Sequence, residues 1–270
     1  MVAGVLPKHV TPDLDWSIEE DIPPGPYPRH TEYLFRRVPQ AITERASTGN
    51  AERALEVASG LGVQLKLLSQ NGCQVWGLDA SFMLAQRSRS RASNGRLAPV
   101  VCAIAEELPF QDATFDRIIC QGSLDHFVNP RAFMREVARV LKPDGRAIIG
   151  ISNFDSLSCR LGSALFRAKK ALRLPVYEGR NYWEIPDNHT FRGTHNVLRN
   201  LGGPDLELVE CRGISLLWLF HQWTRLMDSV PEPVALATMR VCDKIAYRMP
   251  GMADMLISVW RPRHDQHAGA

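Results

Sequence analysis

Short apolar segments that alternate with amphipathic segments dominate residues 53–152 of this chain of 270 residues. The apolar segments predict five strands, at 54–58, 73–79, 99–104, 116–121 and 146–152. The amphipathic segments predict helices at 61–70, 81–92 and 130–141. Because each strand is apolar almost throughout, both faces of the sheet must be covered. This is typical of a mostly parallel sheet with helices on either side.

The remaining chain divides into two flanking parts. Residues 1–47 contain an arm rich in proline and acidic residues, followed by a helix from residue 30 in which Pro39 predicts a kink or break. Residues 48–152 form the predicted core, and residues 153–270 form the C-terminal part. This last part contains two further predicted strands, 206–214 and 255–262, and helical insertions at 153–190 and 215–254 that we expect to form a cap.

Composition excludes several classes of protein. The net charge is +3 and the pI is near 8.6, without the dense basic stripe and interleaved aromatic residues of a nucleic-acid binder. The six cysteines are scattered without a CxxC pair, so we expect neither a metal site nor a disulfide framework. Cys102 and Cys120 lie in apolar segments and are expected to be buried. Without a signal peptide or a long apolar span, the chain is expected to be cytoplasmic.

A glycine-containing turn is predicted where the first strand meets the first core helix, at residues 56–62 (EVASGLG). Glycine permits a tight turn and close approach of the backbone to a ligand. The helix that follows offers free N–H groups at its positive end. Asp79, 17 residues beyond Gly62, ends the second strand, where a carboxylate can accept ribose hydroxyls. Together these features predict a cofactor that carries adenosine.

The turn departs from the dinucleotide fingerprint, since Leu65 occupies the third glycine position of GxGxxG. The segments ALEVASGLG, VWGLDAS, AEELPFQDATFDRIICQGSLDHF and REVARVLKPDGRAIIGIS follow in order over residues 53–152. In these segments the chain resembles the class I S-adenosylmethionine-dependent methyltransferases, particularly the branch that methylates quinones and sterols. The resemblance implies a Rossmann-like, doubly wound α/β fold with seven strands, the last antiparallel.

The resemblance also implies which residues hold S-adenosylmethionine. The positions that would line its methionine end are Glu56, Ala58, Ser59, Gly60 and Gly62. Asp79 would hold the ribose, and the positions implied beside the adenine are Ala80, Met83, Ile104, Ala105 and Glu106. Gln121 would lie under the transferred methyl group. Ala58 replaces the usual first glycine, and Ile104 replaces a common acidic residue at the adenine.

Candidate catalytic and acceptor-binding residues lie outside this cradle. His126 follows the fourth strand and is our first candidate for a general base, with His189 as the second. The alternative is that each histidine only holds its loop by hydrogen bonding. The acceptor-binding candidates are Tyr27, His30, Trp183 and Trp218.

Residues 157–173 predict an amphipathic helix. Its apolar face holds Leu157, Leu161, Leu165, Ala168 and Leu172, and its basic residues avoid that face: Arg160, Arg167, Lys169, Lys170 and Arg173. The favoured interpretation is a buried stripe beneath a solvated basic face. The alternative is a lid that contacts a membrane surface or an anionic acceptor. The apolar block at 215–223 (SLLWLFHQW) fits an acceptor pocket, the core of a cap or a homodimer interface.

The sequence therefore predicts in-line methyl transfer from S-adenosylmethionine to a small hydrophobic acceptor, such as a quinone-like ring, a lipid or a natural product. Two alternatives remain. One is an NAD(P)-dependent oxidoreductase, and the other is a protein that binds S-adenosylmethionine without catalysis.

Overall fold

The computed structural model describes residues 26–46, 52–89 and 98–263. Its seven strands are β1 (Arg53–Val57), β2 (Gln74–Asp79), β3 (Val100–Cys102), β4 (Phe115–Gln121), β5 (Leu141–Ser152), β6 (Leu206–Ile214) and β7 (Met255–Pro262). The described α-helices are α1 (Arg29–Ala46), α2 (Val63–Gln70), α3 (Phe82–Arg89), α4 (Pro130–Val140), α5 (Leu157–Ala171), α6 (His195–Arg199), α7 (His221–Ser229) and α8 (Glu232–Arg248). Residues 1–25 of the predicted arm lie outside the described residues.

All seven strands form one mixed sheet in the order β3-β2-β1-β4-β5-β7-β6. The pairs among β1 to β5 are parallel, whereas β7 runs antiparallel to both β5 and β6. The predicted α/β class, the strand number and the antiparallel last strand are confirmed. Of the predicted cap, α7 packs against α1 and α8, and α8 also packs against β6.

Two apolar layers cover the sheet, one on each face. Neighbouring residues of β4 belong to opposite layers: Ile118 packs with the α4 side chain Phe133, and Ile119 packs with the α1 side chain Ile42. All four side chains are fully buried. A strand buried on both faces needs apolar residues at successive positions, which explains the uninterrupted apolar segments of the sequence.

Helix α1 continues through Pro39, so the predicted break is absent. Proline lacks the N–H that would donate to the carbonyl one helical turn earlier. The carbonyl of Pro39 is nevertheless hydrogen-bonded. It accepts hydrogen bonds from Thr43 Oγ1 at 2.8 Å and from Gln64 Nε2 at 3.1 Å. The buried face around Pro39, which includes Val38 and Ile42, keeps the helix on the sheet.

Residues 141–145 (LKPDG), whose proline and glycine are typical of a turn, lie within β5 as a bulge. Phe115 pairs with Leu141 and Arg117 with Arg146, so the intervening segment loops out opposite one residue of β4. Gly145 does not have a left-handed backbone. A Cβ at Gly145 would lie 2.8 Å from Leu141 Cδ2, so this glycine is required by lack of space rather than by its dihedral angles.

Two predictions of burial are wrong. Cys102 is exposed because β3 is the edge strand, whereas Cys120 in the central strand β4 is buried as predicted. On α5, the leucine stripe is largely exposed, and the residues that pack inward are Ser158, Cys159 and Gly162. Among the described helices, none is long and apolar enough to cross a membrane.

Candidate functional site

The turn after β1 contains three residues with left-handed backbone. Ala58, Gly60 and Gly62 have φ angles of 54°, 49° and 70°. Glycine adopts this region without a steric penalty, but alanine does not. Gly62 must also be small, because a Cβ there would lie 2.9 Å from the carbonyl oxygen of Ser88 in α3. The turn is therefore compact, and it positions the start of α2.

Asp79, at the end of β2, directs its carboxylate toward this turn. Its Oδ2 accepts the Gly60 N–H at 2.8 Å, and its Oδ1 accepts the Ser81 N–H at 3.0 Å. Burial raises the pKa of Asp79, while the two backbone N–H groups oppose that rise. The carboxylate thus lies against the turn after β1, and its contact with a ribose stays a prediction.

Glu56, in β1, places its carboxylate at the amino end of α2. Its Oε2 accepts the Leu65 N–H at 2.9 Å. Burial raises the pKa of Glu56 to about 8, although hydrogen bonds from the backbone N–H groups of Leu65 and Gln64 lower it. The carboxylate satisfies free N–H groups at the positive end of the helix. Its role toward a cofactor stays a prediction.

The other predicted cofactor positions lie along the same edge of the sheet. They are Ser59 in the first turn, Ala80 and Met83 after β2, Ile104, Ala105 and Glu106 after β3, and Gln121 at the end of β4. The Ser59 hydroxyl donates to Ser88 Oγ at 3.1 Å, and Glu106 Oε1 accepts the Asn129 N–H at 3.1 Å.

Two residues near this edge were missed from the sequence. Phe82 begins α3 and is 68% exposed, beside the loops that follow β2 and β3. Its signal was an aromatic residue three positions after Asp79. Gln64 is fully buried and donates to Gln121 Oε1 at 3.0 Å, which fixes that predicted methyl-side residue. No local pattern distinguished Gln64 from an ordinary helix residue.

The structure brings together His126 and His189, which lie far apart in sequence. His126 follows β4 in a 3-10 turn (Leu124–His126), and His189 lies in the loop between α5 and α6. Their ring centroids are 4.5 Å apart, edge to face. His189 Nδ1 lies 3.1 Å from Asp125 Oδ2, and Asp125 is buried. Asp125 was missed, although it directly precedes His126.

The His189 loop is attached to the 3-10 turn by the next residue. Thr190 N–H donates to the Asp125 carbonyl at 2.7 Å, and Thr190 Oγ1 donates to the Phe127 carbonyl at 2.7 Å. The Phe154 ring packs edge-on against the His189 ring at 5.7 Å. An imidazole held in this way against a carboxylate is suited to accepting a proton.

The same three side chains also have the donor types of a divalent-metal site. One potential ligand atom from each of Asp125, His126 and His189 lies within 4.8 Å of the other two. Two imidazoles and one carboxylate suit transition metals.

His30, a predicted acceptor-binding residue, lies in a buried polar network. Its Nε2 hydrogen-bonds Ser215 Oγ at 2.8 Å, and its Nδ1 accepts the Trp223 indole N–H at 3.0 Å. Ser215 in turn donates to Asp254, which also accepts the Ser158 hydroxyl. Burial lowers the pKa of His30 to about 4, so its ring is neutral at pH 7.

The other three acceptor-binding candidates are aromatic residues that contact the cap or α1. The Trp218 indole donates to Thr31 Oγ1 at 3.0 Å, and Tyr27 packs against Phe35. Trp183 packs against Tyr182 and Phe166 on α5. Their contact with an acceptor stays a prediction.

The match to a known family covers the elements from β1 to β5. Residues 55–149 match the methyltransferase domain family. This region includes the turn after β1, Asp79, and the 3-10 turn with Asp125 and His126. It ends inside β5, so β6, β7 and the helices α5 to α8 lie beyond the match.

Curated relatives also match a part of the chain. A demethylmenaquinone methyltransferase of Corynebacterium urealyticum is 34% identical over 105 residues, which are 39% of this chain and 44% of the relative. The chain thus spans less than half the length of the curated relatives it matches.

Solved structures share the fold over most of the chain. A Haloferax volcanii protein in complex with the Trm112 methyltransferase activator has a TM-score of 0.56 and 18% identity, covering 87% of this chain and 94% of that chain. The [4+2]-cyclase SpnF has a TM-score of 0.54 and 20% identity, covering 83% of this chain and 79% of that chain. At these identities the likeness is one of fold, which does not by itself assign a reaction.

Proposed function

We propose that this chain transfers the methyl group of S-adenosylmethionine to a small hydrophobic, quinone-like acceptor. The observation that carries the proposal is the carboxylate of Asp79, directed toward the left-handed turn after β1 inside a methyltransferase domain. The acceptor class rests on the demethylmenaquinone methyltransferases among the relatives.

The residues at this edge fit an adenosine-bearing cofactor. An ionised carboxylate has about four acceptor sites, and Asp79 uses two of them on backbone N–H groups, which leaves acceptor capacity for ribose hydroxyls. Phe82 and Ile104 offer exposed apolar surface that suits an adenine ring. Glu56 supplies a carboxyl that is largely protonated at pH 7 in the free protein and whose ionised form would be favoured by the cationic methionine end. When bound, the cofactor supplies a methyl group already activated on a sulfonium.

The protein's contribution to chemistry would be to position the acceptor and remove its proton. Asp125 holds the His189 ring at 3.1 Å, and the His126 ring lies against the same imidazole. We assign one of these two imidazoles to take the proton of an acceptor hydroxyl or acidic carbon, with Asp125 as a positioning residue.

Calorimetric titration with S-adenosylmethionine, S-adenosylhomocysteine and NAD tests the cofactor. We expect binding of the first two, a loss of about tenfold or more in affinity in Asp79→Asn, and no change in the control Asp144→Asn on the exposed β5 bulge. Binding of NAD alone, or of none of the three, would overturn the proposal. Binding without a methylated product from labelled cofactor and cell extract would favour the non-catalytic alternative.

Asp125→Asn tests the positioning role. We expect kcat to fall by roughly 10²-fold or more and its pH profile to change, because the imidazole loses the carboxylate that orients it. Affinity for S-adenosylmethionine should stay the same. A kcat close to that of the wild type would show that the histidines only hold their loops.

A further inference from the structure

Helix α5 and the segment after it expose several large apolar side chains. The leucines and tyrosine concerned are Leu161 (40% exposed), Leu165 (38%), Leu172 (69%), Leu174 (50%) and Tyr177 (70%). Soluble proteins rarely expose contiguous apolar patches of this kind unless they bind something. We call these five residues, together with the basic residues of the same segment, the α5 surface.

The exposure follows from how α5 is anchored. Its amino-terminal half packs closely: the Ser158 hydroxyl donates to Asp254 at 2.6 Å, and a Cβ on Gly162 would collide with Tyr182. Beyond Ser163, residues 164–171 are exposed except for Phe166, which packs against Trp183. The inward face therefore consists of small residues, and the leucine stripe of the helix is left outside.

The α5 surface is also strongly basic. Its cations are Arg160, Arg167, Lys169, Lys170 and Arg173, and no acidic residue occurs in the sequence between Asp155 and Glu178. Arg160 is paired with Asp155 at 3.4 Å. Within the described part of the chain, Lys169, Lys170 and Arg173 form no ion pair, so their charge is available to an anionic partner.

We propose that the α5 surface docks onto an anionic lipid bilayer. Exposed leucines flanked by lysine and arginine have the composition of helices that lie in the membrane interface, with apolar side chains below the headgroups and cations among them. A bilayer satisfies both halves of this surface at once, because it offers apolar depth beneath negative charge. Docking goes beyond the proposed transfer reaction, and it does not require the cofactor.

Vesicle flotation with the full chain and no cofactor tests the proposal. We expect binding to vesicles that contain phosphatidylglycerol, weak binding to phosphatidylcholine alone, and weaker binding as salt is raised. The triple variant Lys169→Gln, Lys170→Gln, Arg173→Gln should bind about 100-fold more weakly, at about fivefold per charge. The double variant Leu172→Asn, Leu174→Asn should bind roughly tenfold more weakly.

Matched variants on α8 provide the controls, since they remove the same number of positive charges or the same number of exposed apolar side chains. We expect two α8 variants to bind vesicles like the wild type. One is the triple variant Arg240→Gln, Lys244→Gln, Arg248→Gln, and the other is the double variant Val234→Asn, Val241→Asn. Equal losses in the α5 and α8 variants, or no binding to anionic vesicles, would overturn the proposal. The proposal would also be overturned if the protein bound no vesicles but formed a dimer that the variant Leu172→Asn, Leu174→Asn abolished.

Discussion

At the scale of single residues, Ala58 is a source of strain in the cofactor turn. A left-handed backbone costs a residue with a Cβ about 1–2 kcal/mol, and glycine avoids this cost while losing about 0.5–1 kcal/mol in unfolded-state entropy. Ala58 has φ 54°. We therefore expect Ala58→Gly to raise the free energy of unfolding by about 0.5–1 kcal/mol, measured by urea denaturation.

Ala113 provides a matched control because it has φ 51° in an exposed turn before β4. Ala113→Gly should give a similar gain in stability and leave affinity for S-adenosylmethionine unchanged. Ala58→Gly should raise that affinity, because one methyl group is removed from the turn. A lower stability of Ala58→Gly than of the wild type would contradict this account of the turn.

Glu56 should make cofactor affinity depend on pH. Burial raises its pKa from 4.5 to about 8, so the carboxyl is largely protonated at neutral pH. A cationic ligand favours the ionised form, so affinity for S-adenosylmethionine should increase as pH rises toward about 8. Titration at several pH values should show this slope in the wild type and in the control Glu207→Gln on β6, but not in Glu56→Gln.

Glu56 also affects stability, which should fall as pH rises, whereas affinity for the cofactor should increase. Since its pKa is raised in the folded protein, the stability it contributes is complete below pH 4.5 and is lost as pH rises to about 8. An unchanged pH slope of the free energy of unfolding in Glu56→Gln would show that the carboxylate is not buried as described.

At the scale of elements, His30 ties α1 to the segment between β6 and α7. Its ring bonds Ser215 and Trp223, and burial lowers its pKa from 6.5 to about 4. The neutral ring is therefore the stable form, and its contribution is present above pH 6.5 and lost as pH falls toward 4. Thermal unfolding should show that the melting temperature of His30→Leu depends less on pH in this range than that of the wild type.

The exposed His221, at the start of α7, serves as the control. His221→Leu should keep the acid sensitivity of the wild type. If His30→Leu keeps it as well, another group is responsible for acid sensitivity and His30 is not neutral in the folded protein.

At the scale of the whole molecule, the region that matches the methyltransferase domain family does not contain the complete sheet. The family match ends at residue 149, yet β5 pairs with β7 over six residues, from Ala147 to Ser152. The fully buried Trp260 of β7 belongs to the same core cluster as Ile149. Removing β6 and β7 would expose both the edge and the face of β5.

We therefore expect a fragment of residues 1–152 to lack a cooperative thermal transition and to aggregate, whereas the full chain unfolds cooperatively. Circular dichroism with temperature makes the comparison. A fragment that melts cooperatively and binds S-adenosylmethionine would show that the matched region is an independent unit.

Much of the fold was predictable because it depends on local patterns. Strands buried on both faces must be apolar, and β4 illustrates this with Ile118 and Ile119 in opposite cores. Left-handed turns favour glycine, so Gly60 and Gly62 identified the turn after β1. The position of Asp79 at the end of β2 was also predictable, because the apolar pattern of the sequence shows where this strand ends.

Tertiary structure alone decided which residues meet across the fold. The pairing of Asp125 with His189 depends on a loop 64 residues further along the chain, held by Thr190. The face that α5 presents to the body depends on close packing at Gly162, so a periodicity that predicts a buried leucine stripe gave the wrong face. A sequence pattern shows that a helix has an apolar face, whereas the residues that pack against the helix in the tertiary structure determine which face is buried.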